Sequence, residues 1–428
     1  MSKLTIGIAG MTHLGTCTSV GASLSGNNIV AFDMNDELIK KRKKGEFDKA
    51  EPGIEEFLKE LPNNFQLTDS VFDLKKCDLV MISVDSPVDE FGNVDTDPVA
   101  KLFELIAKNI DHSIPIIILS QVRPGFTRLV SFTRQETYYQ METLIFGQGL
   151  ERALKPERYV IGLRDESQLL NPNYENFLKQ GDCPILKMNF ESAELAKLSA
   201  NFFLASTITA TNTLAALSSK LGANWPQVAD SLKLDRRIGP YAYLKAGLGI
   251  GGSNIIRDLI GIREMSNMAG TDASLVDAML TNSEFSKNWL LRQLMEVIHK
   301  VKTPRIGFLG LSYKQNTDST IGSSGIKTAK IFSEFYPVYV YDPAVKENEI
   351  LKNSVVWSSS ALEILSKVDI LVISTEWSEF KTEEFKTSLW NSKVRHVIDP
   401  FCCLTSVMDL HNQISYSTLG ISPNKGAK

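Results

Sequence analysis

Cysteine is scarce in this sequence. Its 428 residues hold five cysteines, an odd number, scattered at Cys17, Cys77, Cys183, Cys402 and Cys403 without a CxxC pair. That excludes a disulfide frame and a cysteine-based zinc site, and it suits reduced thiols; no metal is expected. Long apolar runs are missing as well: none approaches the ~20 residues that span a bilayer. The opening MSKLTIGIAG lacks the charged and apolar regions of a signal peptide. A cytoplasmic location without a membrane partner is therefore the expectation. Nor does one sign of charge dominate. With 46 basic and 50 acidic residues the net charge is -4, so nothing points electrostatically to nucleic acid. Tandem repeats and low-complexity tracts are also lacking.

What is present is an ordinary core-forming composition, 43% hydrophobic and 22% charged. At roughly 150 residues per domain the length suggests about three domains. Residues 3 to 9 form a short apolar run, a helical stretch follows to about Ser25, and a second strand, Ile29 to Phe32, ends on Asp33. Leu79 to Val84 and Ile116 to Leu119 read as buried strands separated by helical segments. Strands alternating with helices predict a parallel sheet covered on both faces, closing near residue 190 after a strand at Tyr159 to Ile161. Beta-type runs then disappear. Helical periodicity carries Ser192 to Lys220 and Thr271 to Lys300, with Thr271 and Asp272 as a cap. Alternation returns at Ile306 to Gly310, Val338 to Asp342, Ile370 to Ile373 and His396 to Asp399. The fold class is α/β: two Rossmann-like doubly wound sheets joined by a helical segment. The expected domains are residues 1–190, 191–300 and 301–428, the helical middle making a homodimer. The two α/β ends hint at internal duplication, and the last residues read as frayed.

A strand, a glycine turn, a helix and an acid closing the next strand form a dinucleotide arrangement. Here the turn is Gly10-Met11-Thr12-His13-Leu14-Gly15, and Asp33 lies 18 residues beyond Gly15. The helix amino terminus offers N–H groups and a positive dipole end to a pyrophosphate. A carboxylate at Asp33 accepts ribose hydroxyls and repels a 2′-phosphate, which favours NAD over NADP. Thr12 takes the place of the middle glycine, so its Cβ asks for a slightly altered phosphate position.

Several further segments share one order with a known family. They are Glu51-Pro52-Gly53 with Glu55 and Glu56, Val84-x-Ser86-Pro87, Ser120-x-Val122-x-Pro124-Gly125, Glu142-x-Leu144, and Pro156-Glu157-Arg158. Then come Ser192-Ala193-Glu194-Leu195-x-Lys197 with Asn201, Asp235-x-Arg237-Ile238-Gly239, Gly247-x-Gly249-x-Gly251-Gly252-Ser253, and Asp258. Leu309-Gly310-Leu311, Lys314-x-Asn316-Thr317-Asp318 and Thr375-Glu376-Trp377 complete the set. In these the chain resembles the UDP-glucose/GDP-mannose dehydrogenase family over nearly its whole length. The resemblance implies NAD-dependent oxidation of a nucleotide sugar's C6 alcohol to a carboxylate, in a setting of surface polysaccharide synthesis. It implies that Lys197 and Asn201 stabilise an oxyanion and hold a water, that Asp258 orders that water or acts as base, and that Glu142 serves a later hydrolytic step. By the same resemblance Ser86 joins the cofactor loop. By it Arg237, Tyr243, Gly249, Gly251 and Lys314 bind substrate, Arg237 across a dimer.

The departure lies at the nucleophile. Asn254 holds the position of the family's cysteine, Ile256 its proline and Arg257 its lysine. A thiolate traps the intermediate aldehyde and passes it to a thioester, which an amide cannot do. Gln121 replaces a threonine, Ile321 stands at a cofactor-facing arginine, and Pro400 and Phe401 replace an arginine that grips the sugar nucleotide. Three readings stay open. One is a dehydrogenase without the thioester half-reaction, Asn254 and Gln121 holding a gem-diol or the product left at the aldehyde or a ketone. A second is an epimerase with tightly bound NAD. The third is a silent binder of nucleotide sugar and NAD.

Overall fold

The computed structural model describes residues 3–47, 51–87, 94–132, 134, 136–165, 167–252, 254–404 and 414–422. Ser253 of the glycine-rich stretch and the tail from residue 423 lie outside them. The chain divides into two compact units, Met1–Ala200 and Asn201–Lys428.

The first unit is built on eight strands: β1 (Thr5–Ala9), β2 (Asn28–Phe32), β3 (Phe65–Thr68), β4 (Leu79–Ile82), β5 (Ile116–Ile118), β6 (Thr137–Gln140), β7 (Tyr159–Leu163) and β8 (Ile185–Asn189). They pair in the order β3-β2-β1-β4-β5-β6-β7-β8. All neighbours are parallel except β6 and β7, which run antiparallel. The strands read as continuous apolar runs because both faces are covered. Along β1, Ile6 and Ile8 join one core with Met81 and Ile117. Ala9 joins the opposite core with Val80, Ile82 and Phe103. The alternation follows from the period of two in a strand.

The second unit opens with helices. The helix Phe190–Leu221 starts in the first unit and ends in this one; Trp225–Leu234, Asn254–Ala269, Ser274–Lys287 and Trp289–Val297 follow. Six strands complete it: β9 (Ile306–Leu309), β10 (Val338–Tyr341), β11 (Val356–Trp357), β12 (Ile370–Ile373), β13 (His396–Ile398) and β14 (Ser415–Ser417). Their order is β11-β10-β9-β12-β13-β14, and every pair is parallel. Each sheet therefore reverses its strand order beside its first strand, at β1/β4 and at β9/β12. In doubly wound sheets ligands bind at that switch point.

The elements depart from the sequence reading in several places, among them the strands β3, β6, β11 and β14, which it did not name. A further strand, β8, follows residue 184 before the long helix begins. The expected helix from Thr271 starts at Ser274 and breaks at Asn288. Asp272 does not cap it as foreseen: Ala273 is the N-cap, while the Asp272 carboxylate accepts from the Ser274 N–H at 2.9 Å. The antiparallel β6–β7 pair also interrupts the parallel order.

Glu194, fully buried on the long helix, holds that helix to the turn after residue 124. Its carboxylate accepts from the Gly125 N–H at 2.6 Å and the Thr127 N–H at 2.8 Å. Burial still pushes this carboxyl above the ordinary glutamate range. Glu194→Ala leaves two buried donors unanswered and should cost about 3 kcal/mol, with Glu194→Gln costing about half. Urea unfolding checks this; an unmoved midpoint in the alanine variant would contradict it.

Candidate active site

The first turn is shaped by a close approach. Gly10 has φ +103°, a region open to glycine. A Cβ on Gly15 would lie 1.7 Å from the Gly10 carbonyl oxygen, so the helix His13–Leu24 can start this close to β1 only with glycine there. Thr12 is the residue before that helix and makes no side-chain cap. Its hydroxyl is buried and, among the described residues, has no hydrogen-bond partner. The Leu14 side chain packs into the core, so its contribution to the turn is its backbone. Behind the turn, buried Arg42 contacts the Met11 carbonyl and the Thr16 hydroxyl, both at 3.3 Å, a support no sequence motif announces.

Asp33 accepts from the Met11 N–H at 2.6 Å and from the Asn35 N–H at 2.8 Å. A carboxylate has about four acceptor directions, so Asp33 keeps capacity for ribose hydroxyls. The second unit repeats the device with a different outcome. Asp342 accepts from the N–H groups of Leu311, Ser312, Ala344 and Val345 and from the Trp377 indole. It is 2% exposed and has no acceptor direction left. Among the described residues only the first unit combines a spare carboxylate with an orphaned hydroxyl at a helix start. Gly10, Thr12, His13, Gly15 and Asp33 thus fit the pyrophosphate and ribose of NAD.

His13, the first residue of that helix, joins a network the sequence did not reveal. Its Nε2 lies 2.7 Å from Glu51 Oε1. Glu51 also accepts from the N–H groups of Gly147 and Gly149 at 2.7 and 2.8 Å. The ring is tilted against Phe146 at 4.4 Å. His13, Glu51 and Cys17 place their ligand atoms within 4.8 Å of one another, but Glu51 already has three donors and burial pushes the Cys17 thiol far up. Burial also works against ionised Glu51, yet the His13, Gly147 and Gly149 hydrogen bonds win and hold its carboxyl below the ordinary value of 4.5.

The remaining expected residues of the first unit pair off. Lys197 Nζ sits 2.5 Å from Glu142 Oε1 and 3.2 Å from the Glu142 carbonyl. Glu142 Oε2 accepts from the Leu144 N–H at 2.8 Å. Ammonium and carboxylate are 12% and 18% exposed, a nearly desolvated pair whose single removal is costly. The Ser86 hydroxyl donates to the Gln121 carbonyl at 2.8 Å.

In the second unit Asn201 donates from Nδ2 to Asp258 Oδ2 at 2.5 Å. The Asn201 amide oxygen thereby remains the acceptor end. Arg257, in the place of the family's lysine, donates to the other Asp258 oxygen at 2.9 Å. Asn254 begins the helix Asn254–Ala269 and is exposed. Gly249 has φ +81°, and Tyr313 packs so closely on Gly251 that a Cβ there would meet its ring at 2.9 Å. Lys314 Nζ lies 5.8 Å from that ring's centre. Tyr243 is half exposed. Arg237 is not drawn in; its side chain is 88% exposed and closes on Asp235 at 2.6 Å.

Burial disfavours the thiolate at four of the five cysteines. Burial raises Cys17 and Cys403 far up, Cys77 to about 12, and Cys183 above the ordinary thiol value. Cys402 is held by the Thr418 hydroxyl at 3.1 Å.

Two predictions follow from the first turn. Gly15→Ala should abolish NAD binding measured by calorimetry, while Gly261→Ala, where a Cβ meets nothing within 4 Å and the backbone is helical, should leave affinity within about threefold. Because the folded-state Glu51 carboxyl is depressed, its stabilisation is present above 4.5 and is lost as pH falls through the lower folded value. Melting temperature should therefore drop steeply there in the parent protein and less steeply in Glu51→Gln; parallel curves would contradict this.

Comparison with known proteins agrees along the whole chain. Residues 4–178 match the NAD binding domain of the UDP-glucose/GDP-mannose dehydrogenase family, 191–284 its central domain and 307–406 its UDP binding domain. A UDP-glucose 6-dehydrogenase of Rickettsia typhi is 29% identical over 395 residues, covering 88% of this chain and 90% of the relative. A UDP-glucose dehydrogenase from Pyrobaculum islandicum has a solved structure that superposes with a TM-score of 0.79 at 26% identity, over 93% of this chain and 94% of that one. The UDP-D-ManNAc dehydrogenase structure from Pyrococcus horikoshii, 24% identical, shares the fold at a TM-score of 0.81 over 97% and 99% of the two chains. Among the described residues no helix is long and apolar enough to cross a membrane. The chain belongs to the UDP-glucose/GDP-mannose dehydrogenase family and is an NAD-dependent oxidoreductase of the nucleotide-sugar dehydrogenase type, acting on a CH–OH group.

Proposed function

We propose that this enzyme oxidises the C6 alcohol of a nucleotide sugar, UDP-glucose or a close analogue, to the acid without a covalent thioester. The observation that carries the reading is Asn254 at the start of its helix, in a chain whose thiols are buried, raised or hydrogen-bonded. Bound NAD supplies the hydride acceptor. Lys197 stabilises charge on the reacting oxygen, which is the largest contribution expected of a preorganised cation. Asn201 and Asp258 hold a water, and Arg257 keeps the Asp258 carboxylate oriented. In the first oxidation the alcohol would give a hydride to NAD and its hydroxyl proton, through the held water, to Asp258, leaving the aldehyde, and a second NAD would replace the NADH formed. Water then adds to give the gem-diol, one hydroxyl proton passing to Glu142 as the second oxidation leaves the carboxylic acid. Asn254 and Gln121 hold the diol hydroxyls. The retained Glu142–Lys197 pair favours this route over release of aldehyde, which needs no second proton acceptor.

Gly249, Gly251, Tyr243 and Lys314 bind the sugar nucleotide, Arg237 reaches it from the second protomer of the dimer, and His13, Leu14 and Ser86 complete the cofactor loop. We keep the organisation 1–190, 191–300 and 301–428, and place the enzyme in the cytoplasm, where both substrates are met. On the long helix Phe203, Leu214, Leu217 and Leu221 are exposed. Their spacing sets them on one stripe, which we assign to a homodimer. Leu217→Glu with Leu221→Glu should yield monomer in sedimentation; an unchanged assembly would remove the assignment.

The reaction is tested by following NADH and sugar products together. The expectation is two NADH per sugar, with the uronic acid as product. One NADH with aldehyde, an epimer without net NADH, or binding without turnover would each overturn it. Lys197→Ala should lower kcat by about 10³-fold or more while NAD affinity stays within a factor of about two.

A further inference from the structure

A recess of about 450 Å³, its open mouth included, lies wholly within the second unit. The long helix contributes Asn212 and Ala216, the helix Ser274–Lys287 contributes Asn282 and Phe285, and the next helix contributes Trp289 and Arg292.

The polar groups of its wall are more specific than its size. Asn212 is 5% exposed, and its Oδ1 accepts from the Gly247 N–H at 2.8 Å. The amide orientation is set by that bond, so Nδ2 is the other end; it is buried and has no partner among the described residues. Asn282 donates from Nδ2 to the Thr213 hydroxyl oxygen at 2.8 Å. Thr213 gives its own proton to the Thr209 carbonyl at 2.9 Å, so it can only accept from Asn282. The Asn282 amide is therefore not free to flip, and its buried Oδ1 also lacks a partner among the described residues. Native proteins seldom leave such atoms unanswered. Water alone at these amides would leave the aromatic wall of Phe285 and Trp289 uncovered. Arg292 stacks on the Phe285 ring at 4.0 Å and donates to the Phe285 carbonyl at 2.8 Å, firming the lip.

We infer that this recess binds a small planar molecule with an amide or lactam edge. Its carbonyl accepts from Asn212 Nδ2, its N–H donates to Asn282 Oδ1, and its ring lies against Trp289 and Phe285. Small shifts of the wall open the two amide atoms to it. Because the other end of Asn212 holds Gly247, an occupied recess also steadies the head of the glycine-rich segment. The site stands apart from the reaction proposed above.

Benzamide is the probe, titrated into the full-length protein by calorimetry without NAD or nucleotide sugar. It should bind, and methyl benzoate, which keeps ring and carbonyl but has no donor, should bind at least about tenfold more weakly. Ala216→Leu, which fills the recess, should abolish benzamide binding. Asn282→Leu should weaken it about tenfold, with an unchanged melting curve showing that each variant is folded. Hydrogen exchange at the Gly247 amide should slow when benzamide is bound. No binding, equal binding of the ester, or binding that survives both substitutions would overturn the inference.

Discussion

Both α/β units hang on one hydrogen-bonded constraint: a carboxylate at the end of the second strand holds the turn that follows the first. Asp33 does this for Met11 and Asp342 for Leu311. The parallel extends further. Ser83 donates to the carbonyls of Ala9 and Gly10, and Ser374 to those of Leu309 and Gly310. Gly15 and Gly325 each sit where a Cβ would strike that serine and the preceding turn. One turn geometry has thus been built twice, and its later use differs through saturation. Asp342 spends its acceptor capacity on its own backbone and on Trp377, whereas Asp33 retains some. The same scaffold can therefore offer a carboxylate to ribose in the first unit and only a rigid loop in the second.

The charged side chains assigned to chemistry are all neutralised before any ligand arrives. Lys197 leans on Glu142, and Asp258 is shared between Asn201 and Arg257. Pairs this sheltered gain little net stability over apolar replacements but are expensive to break singly. They make sense as preorganised groups whose partners yield when substrate charge develops. Arg257 shows how a departure from the family can be absorbed: a guanidinium in place of the ammonium still reaches the Asp258 carboxylate. Asn254 shows one that cannot be absorbed within the same mechanism, because an amide supplies hydrogen bonds and no thiolate.

Much of this was legible in the sequence. Short, continuous apolar runs marked β1, β4, β5, β9 and β12 because sheets buried on both faces need them. The turn from Gly10 to Gly15 and the distant acid at Asp33 were visible as a spacing. Half-polar strands were not: β8 reads ILKMN, with its lysine and leucine exposed, while β3 reads FQLT and β6 TYYQ. The break at Asn288 carries no glycine or proline to announce it. Side-chain partnerships across long separations were also hidden. Glu51 was seen as a motif residue, but its bonds to His13, Gly147 and Gly149 depend on the fold, as do the support of Arg42 and the buried hold of Glu194.

The central claim is chemical, that oxidation proceeds beyond the alcohol with no bond to the protein. It is tested most directly by intact-protein mass spectrometry on acid-quenched samples taken while NADH is forming from UDP-glucose. The account predicts an unmodified mass throughout, and acid product accumulating alongside NADH. A protein heavier by one sugar-nucleotide acyl group, mapped to any of the five cysteines, would contradict it.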